Sequence, residues 1–325
     1  MQKNILVTSI SAKVPMLEAI SAAANKIQNQ FPNKGSIKVY GTDIDKNCVG
    51  RFFVHKFWEN SISIDSDDFT IDILLGFCQE NNITMIIPSR DQDLLFYSAY
   101  KEILKDNGIS VMVSKFRTIQ TCWDKLLFYR HLQNNKFPSI ETSDYIESIL
   151  TDIFVVKERY GAGSKNIGVG VSKNKALFLA NKMTRQIFQP YIEGNEISVD
   201  LYVNKEGKCK GVVLRTRDKV VDGESQITTT FRDEKLEKLF SNLAEKLNIY
   251  GHAVFQAIID KEDKLWIIEA NARFGGASTV SLENGLDSFY YFILETLNKM
   301  LPVFVRRRRA EVKQIRYPKD MFIWL

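Results

Sequence analysis

The first 114 residues alternate short apolar runs with amphipathic stretches, and this alternation constrains the fold more than any other feature. "KNILVTS" reads as a strand and "PMLEAISAAANKIQ" has helical spacing. "SIKVYGTDID" is a strand, "DDFTIDILLGFCQENN" a helix, "ITMIIPSR" a strand, "DQDLLFYSAYKEILKDNG" a helix and "ISVMVS" a strand. Such repetition predicts a parallel sheet with helices on both faces. Ligands of these sheets collect at the carboxyl ends of the strands, where Ser9, Asp43, Asp45 and Arg90 fall. The first strand is followed by "TSISAKVP", not by G-x-G-x-x-G, which argues against a dinucleotide there.

The pattern then changes. "TIQTCWDKLLFYRHLQNNKFPSIET" reads as one helix that carries Asp124 and Lys125 and ends at Pro138. From Ser139 to Gly194 a small α+β unit is predicted: strand, glycine-rich loop, strand, helix, strand. From Asn195 the strands look antiparallel. "EISVDLYVNKEGKCKGVVLRTRDKVV" is a hairpin turning at Lys205 to Lys208, and the helix "DEKLEKLFSNLAEKLN" follows it. Next come a second hairpin, "HAVFQAIIDKEDKLWIIEANARF", the helix "SFYYFILETLNKM" and a strand in "YPKDMFIWL". The apolar, aromatic segment "SFYYFILETL" offers a face for a homodimer.

Composition narrows the class. Four cysteines lie far apart with no C-x-x-C and no histidine cluster, which argues against a disulfide framework or a zinc site. No apolar run approaches the roughly 18 residues of a membrane span. The start, "MQKNILVTSI", has too short an apolar core for a signal peptide, so a cytoplasmic enzyme is expected. The net charge of +5 is modest and concentrates in Arg306 to Arg309, either a nucleic-acid or lipid contact or, more simply, a solvated run. No specific nucleic-acid partner is expected.

The second hairpin carries the chemistry. With a four-residue loop, Lys261 to Lys264, Asp260 pairs with Leu265 and Gln256 lies opposite Glu269. Side chains alternate faces, so Gln256, Glu269 and Asn271 share one. One carboxylate and two amide oxygens suit magnesium completed by phosphate oxygens. The alternative is a buried polar cluster satisfied by backbone or water, with Arg273 as the partner of Glu269. Arg273 and the following "FGG" also suit an anion, because glycines let backbone N–H groups approach closely.

"GAGSKNIGVG" is no Walker A loop, yet Gly161, Gly163 and Ser164 suit a flap over phosphate as well as a plain hairpin turn. Lys157 ends the apolar strand "IFVV", where a lone charge needs an anionic partner. Lys125 taken alone reads as a solvent-facing helix cation. "FQPYIEGNEISVD" places apolar residues beside exposed strand backbone, which can sandwich a purine, with Glu196 for ribose hydroxyls.

Together, in this order, these segments resemble the ATP-grasp superfamily, specifically a single ATP domain of the carbamoyl-phosphate-synthase large subunit. E-x-N-x-R-x-G-G behind an upstream glutamine is the most specific element. The resemblance implies an α/β and α+β fold with a Rossmann-like domain (1–114), a linker helix and lid (115–194) and an antiparallel subdomain with the metal site (195–325). It implies that Lys125 and Lys157 contact ATP phosphates, with the Gly161, Gly163 and Ser164 loop over them. Gln189, Tyr191 and Ile192 would line the adenine site and Glu196 would hold ribose. Gln256, Glu269 and Asn271 would ligate one or two Mg2+ (or Mn2+), and Arg273 would stabilise the transferring phosphoryl group. Gln189 stands where many relatives carry Glu, and Gln256 where some carry an acid. The implied activity joins a small-molecule carboxylate to an amine through an acyl phosphate, with Arg215, flanked by Arg217 and Lys219, as an acceptor contact. The alternatives are a phosphotransferase and a nucleotide-binding module without chemistry. A single ATP-grasp set and no amidotransferase segment argue against a full carbamoyl-phosphate synthase.

Overall fold

The computed structural model describes residues 3–59, 69–161, 167–305 and 311–323. Three sheets follow one another along the chain. The first holds β1 (Asn4–Thr8), β2 (Val39–Thr42), β3 (Lys56–Trp58), β4 (Ile83–Ile87) and β5 (Ser110–Val111), in the order β3-β2-β1-β4-β5. Every pairing is parallel. Its helices are α1 (Val14–Gln30), α2 (Ile71–Glu80), α3 (Asp91–Ala99) and α4 (Lys101–Asp106). Leu6 and Ile86 pack with residues of α2, α3 and α4, whereas Ile5, Val7 and Ile87 pack with α1. Cover on both faces is why β1 is buried at every position. The chain leaves β1 for β2 on one side and returns to β4 on the other, so the carboxyl ends of β1 and β4 flank a topological switch point.

Two stretches read as single helices are each divided. Tyr100 (φ −95°, ψ 11°) separates α3 from α4. Asp124 (φ −93°, ψ 103°) separates α5 (Phe116–Trp123) from α6 (Lys125–Asn134). The Asp124 carboxylate caps α6, accepting from the N–H groups of Leu126 at 2.9 Å and Leu127 at 3.1 Å. It also accepts from Arg159 Nε at 2.8 Å and Nη2 at 2.7 Å. Burial opposes its ionisation, but Arg159 and the two amides outweigh that and hold it below the usual carboxylate range.

Arg159 follows β6 (Ile153–Glu158), the central strand of the second sheet, which orders as β7-β6-β8 with β7 (Gly168–Ser172) and β8 (Gln186–Pro190). Helix α7 (Lys173–Ala180) covers it. This unit has a small core of its own, built from Phe154, Val156, Ala176 and Phe188. Asp124 therefore ties a lid-like unit to the linker helices. Asp124→Ala removes a cap and the main partner of the half-buried Arg159 guanidinium, which keeps only Asp144 at 4.0 Å, for an expected loss of about 1–3 kcal/mol in urea unfolding. Asp124→Asn, which keeps the cap, should lose less. A loss below about 0.5 kcal/mol for the alanine variant would reject this tie.

The third sheet orders as β11-β12-β10-β9-β13-β14, with β15 on β12. Its strands are β9 (Gly194–Val203), β10 (Cys209–Thr216), β11 (Lys219–Val221), β12 (Glu224–Phe231), β13 (Gly251–Asp260), β14 (Leu265–Asn271) and β15 (Lys313–Ile315). Helix α8 (Glu234–Lys246) covers one face of it; Phe240 and Leu243 pack there with Val199 and Phe255. Gly194 lets β9 start tight against β13, since a Cβ there would sit 2.4 Å from the Ile259 carbonyl oxygen. Short α9 (Thr279–Glu283) and α10 (Ser288–Thr296) complete the fold.

Helix α10 corrects the dimer-face expectation. Its residues from Ser288 to Glu295 are all buried inside this chain, where its aromatics share a core with α1. The terminal strand is also placed differently. β15 precedes "YPKDMFIWL", whose described residues form no strand. The expected run Arg306 to Arg309, with Gly163 and Ser164 of the glycine loop, lies outside the described residues.

Candidate nucleotide and metal site

A cavity of about 890 Å³ lies where the second sheet faces the third, with α3 of the first at one end. Its upper wall is β6 and β8. Along β6, Phe154 and Val156 point into the lid core, while Val155 and Lys157 line the cavity. Gln189 on β8 pairs with Val155, and Gln189, Tyr191 and Ile192 line the same wall. The Gln189 amide donates from Nε2 to Thr142 Oγ1 at 2.7 Å. Lys125 and Gly161 lie together, with Lys125 Nζ donating to the Gly161 carbonyl at 2.7 Å. Lys125 thus faces the cavity, not bulk solvent.

The floor is the second hairpin. The pairing near its turn is Ile259 with Leu265, one residue away from the expected register. A bulge between Ala257 and Gln256 then restores Gln256 opposite Glu269. The same bulge changes which residues face the core: Leu265 and Ile267 before it, Ala270 and Ala272 after it. Ile268, Glu269 and Asn271 consequently line the cavity beside Gln256 and Ile258. Asn271 Nδ2 donates to Glu269 Oε1 at 3.2 Å, so the carboxylate and amide converge.

Arg273 is not the partner of Glu269. It makes a bidentate pair with Asp91 at the start of α3, through Nε at 2.9 Å and Nη2 at 2.5 Å. Glu196 on β9 lies 2.9 Å from Arg217 Nε, an ion pair the sequence did not suggest. Arg215 lines the cavity, yet only 3% of its surface is exposed. Its Nε donates to Asp200 Oδ2 at 2.7 Å, and Asp200 Oδ1 lies 3.1 Å from His252 Nε2. Burial opposes ionisation of Asp200, but Arg215 and His252 hold its carboxyl well below the usual range. Of the four candidates at the strand ends of the first sheet, Arg90 lines the cavity. Ser9 and Arg90 both donate to Asp93. Asp43 accepts from the N–H groups of Ser11 and Asp45.

Lys157 has no carboxylate within ion-pair distance among the described residues. Burial pushes its pKa down to about 8; Glu269 and Glu196 act at longer range to raise it, and Lys125 lowers it. A buried cation without a contact partner marks a place where an anion is missing from the protein itself. On the metal side, the donors are one carboxylate and two amides. No group of three or more His, Cys, Asp or Glu side chains converges among the described residues. This donor set fits a hard cation shared with phosphate oxygens, not a self-sufficient protein cage.

The fold is that of a parallel sheet followed by a small lid over an antiparallel sheet, with the cavity between the last two. Residues 122–277 match the family model of an ATP-grasp domain. That segment thus carries an ATP-grasp domain. No curated protein sequence matches the chain. Among solved structures, biotin carboxylase from Campylobacter jejuni superposes with a TM-score of 0.73 at 16% identity, over 93% of this chain and 72% of that one. N5-carboxyaminoimidazole synthetase from Staphylococcus aureus, complexed with ADP, gives 0.69 at 16% identity over 93% and 79%. L-amino acid ligase from Bacillus licheniformis gives 0.68 at 18% identity over 92% and 75%. At these identities the likeness is one of fold.

Proposed function

We propose that this chain is an ATP-dependent ligase that activates a small-molecule carboxylate for attack by an amine. The observation that carries the reading is the cavity itself, which gathers Lys125, Lys157, Gln256, Glu269, Asn271 and Arg273 within one enclosure. The similar folds named for carboxylation, synthetase and ligase reactions support a ligase over a phosphotransferase. The E-x-N-x-R-x-G-G order supports a carbamoyl-phosphate-synthase-like branch. The three sheets support working units of 1–114, 115–194 and 195–325. No helix among the described residues is long and apolar enough to cross a membrane, and the proposed site of action is the cytoplasm.

In this reading adenine lies between lid and floor, among Val155, Ile192, Ile258 and Ile268. Gln189, with Nε2 held by Thr142, offers Oε1 to the adenine amino group. Glu196 meets the ribose, with Arg217 behind it. Lys125, Lys157 and the Gly161 loop hold the phosphates. Gln256, Glu269 and Asn271 would hold Mg2+ (or Mn2+), which supplies charge neutralisation at the phosphate oxygens. The substrate carboxylate attacks the γ-phosphorus, the bond to the β-bridging oxygen breaks, and ADP leaves. Arg273 balances charge on the transferring group, and the lid excludes water from the acyl phosphate. An amine then displaces phosphate, with Arg215 fixing an anionic part of the acceptor.

The test is ADP release across a matrix of carboxylates and amines, with products identified by mass. Amine-dependent ADP release with a condensed product is expected. Phosphorylated substrate alone, with no response to any amine, would replace the ligase with a kinase.

A further inference from the structure

We infer that Asp91 is a positioning residue that sets the orientation of Arg273 and so links the amino-terminal sheet to the phosphate end of the cavity. The inference rests on the nucleotide reading above. The two residues are 182 positions apart in sequence and meet fork to fork. Their side chains are only 16% and 10% exposed, too sheltered for a salt-screened surface pair.

A guanidinium has five N–H donors. Asp91 takes two, and the Phe274 carbonyl takes one from Nη1 at 3.2 Å. One N–H on each terminal nitrogen is left, on a side chain that lines the cavity. A bidentate partner fixes the guanidinium plane, so the two remaining donors are aimed before any ligand arrives. Apolar packing would join the two sheets without desolvating two charges. An oriented cation at the cavity wall is what the ion pair adds.

Asp91 is itself held by its neighbours. Two residues on, Asp93 accepts from Thr8 Oγ1 at 2.6 Å, Ser9 Oγ at 2.8 Å and Arg90 Nε at 2.5 Å. Ser89 Oγ donates to the Ser9 carbonyl at 2.8 Å. The first turn of α3 is thereby fastened to the carboxyl end of β1. Its two carboxylates divide the work: Asp93 anchors the turn and Asp91 reaches out to Arg273.

The probes are ADP and a non-hydrolysable ATP analogue with an imido β–γ bridge, each titrated with Mg2+ into the whole chain. Asp91→Asn should weaken the ATP analogue roughly tenfold and leave ADP within about twofold, because its influence reaches only the γ-phosphate. Asp91→Glu, which restores the charge, should recover most of the loss. In an Arg273→Gln background, Asp91→Asn should add less than about twofold. Equal weakening of both nucleotides, no weakening of either, or multiplying effects of the two substitutions would each overturn the inference. Failure of the unsubstituted protein to bind either nucleotide would overturn the nucleotide reading, and this inference with it.

Discussion

Glu269→Gln is expected to lower Mg2+-dependent ATP turnover by at least about a hundredfold while leaving the fold intact. The substitution is nearly isosteric, and the cross-strand neighbour opposite, Gln256, is itself a glutamine. It removes the only carboxylate from the trio of Gln256, Glu269 and Asn271, so the metal would be held by amides and phosphate alone. Mg2+ half-saturation should rise accordingly. Gln256→Glu should move it the other way, since a second carboxylate strengthens a hard-cation site. A second consequence follows from charge. Glu269 is the leading group that favours the charged form of Lys157 against burial. Without it the Lys157 pKa falls further below about 8, and any pH limb set by that lysine shifts to lower pH. Turnover within threefold of the unsubstituted protein, with unchanged Mg2+ dependence and pH profile, would remove Glu269 from the site.

How much of this was legible without coordinates differs by element. The parallel sheet was readable because β1 and β4 are nearly continuous apolar runs, the mark of a strand covered on both faces. β12 was missed because its buried positions are Ser225, Thr228 and Thr230, which leave no apolar alternation to detect. The break at Asp124 looked like a helix interior: its cap to Leu126 and Leu127 is local, but the Arg159 partner that completes it lies 35 residues away. Long-range pairs of this kind carry no local signal.

The Gln256–Glu269 pairing came out right through two compensating differences. The loop is one residue longer than assumed, and an unforeseen bulge returns the lost residue. The residue types still converged on one cavity, because three polar groups in an apolar hairpin have few other places to go. The supporting contacts were invisible. Asp91 reads as an ordinary first-turn acid of α3, and Asp200 and His252 as isolated polar residues in apolar strands. Their partners lie on other elements, so only the tertiary fold reveals that they hold Arg273 and Arg215.

Lys157→Met should make the ligand-free protein more stable and, at the same time, a much weaker nucleotide binder. Burial moves the lysine from the ordinary 10.5 to about 8, so folding penalises its charged form. Below about pH 8 both folded and unfolded chains carry the proton, and the penalty is constant and fully present. Between about 8 and 10.5 the unfolded chain holds more protons, so this residue's contribution to stability becomes more favourable as pH rises. An apolar side chain of similar length removes the penalty at every pH, by about 1–3 kcal/mol at pH 7. Nucleotide binding responds with the opposite sign. Phosphate favours the protonated amine, so affinity should be greatest below about pH 8 and fall roughly fivefold to tenfold between pH 7 and 9. In Lys157→Met, ADP affinity at pH 7 should drop by about ten- to a hundredfold. Its dependence on pH over that interval should flatten. Lys101 also has a pKa of about 8, but it stacks on Tyr250 away from the cavity and is unchanged in this variant, so it serves as the internal control. A variant that is destabilised, or that keeps the full pH dependence of binding, would show that Lys157 is a structural lysine and not the phosphate contact.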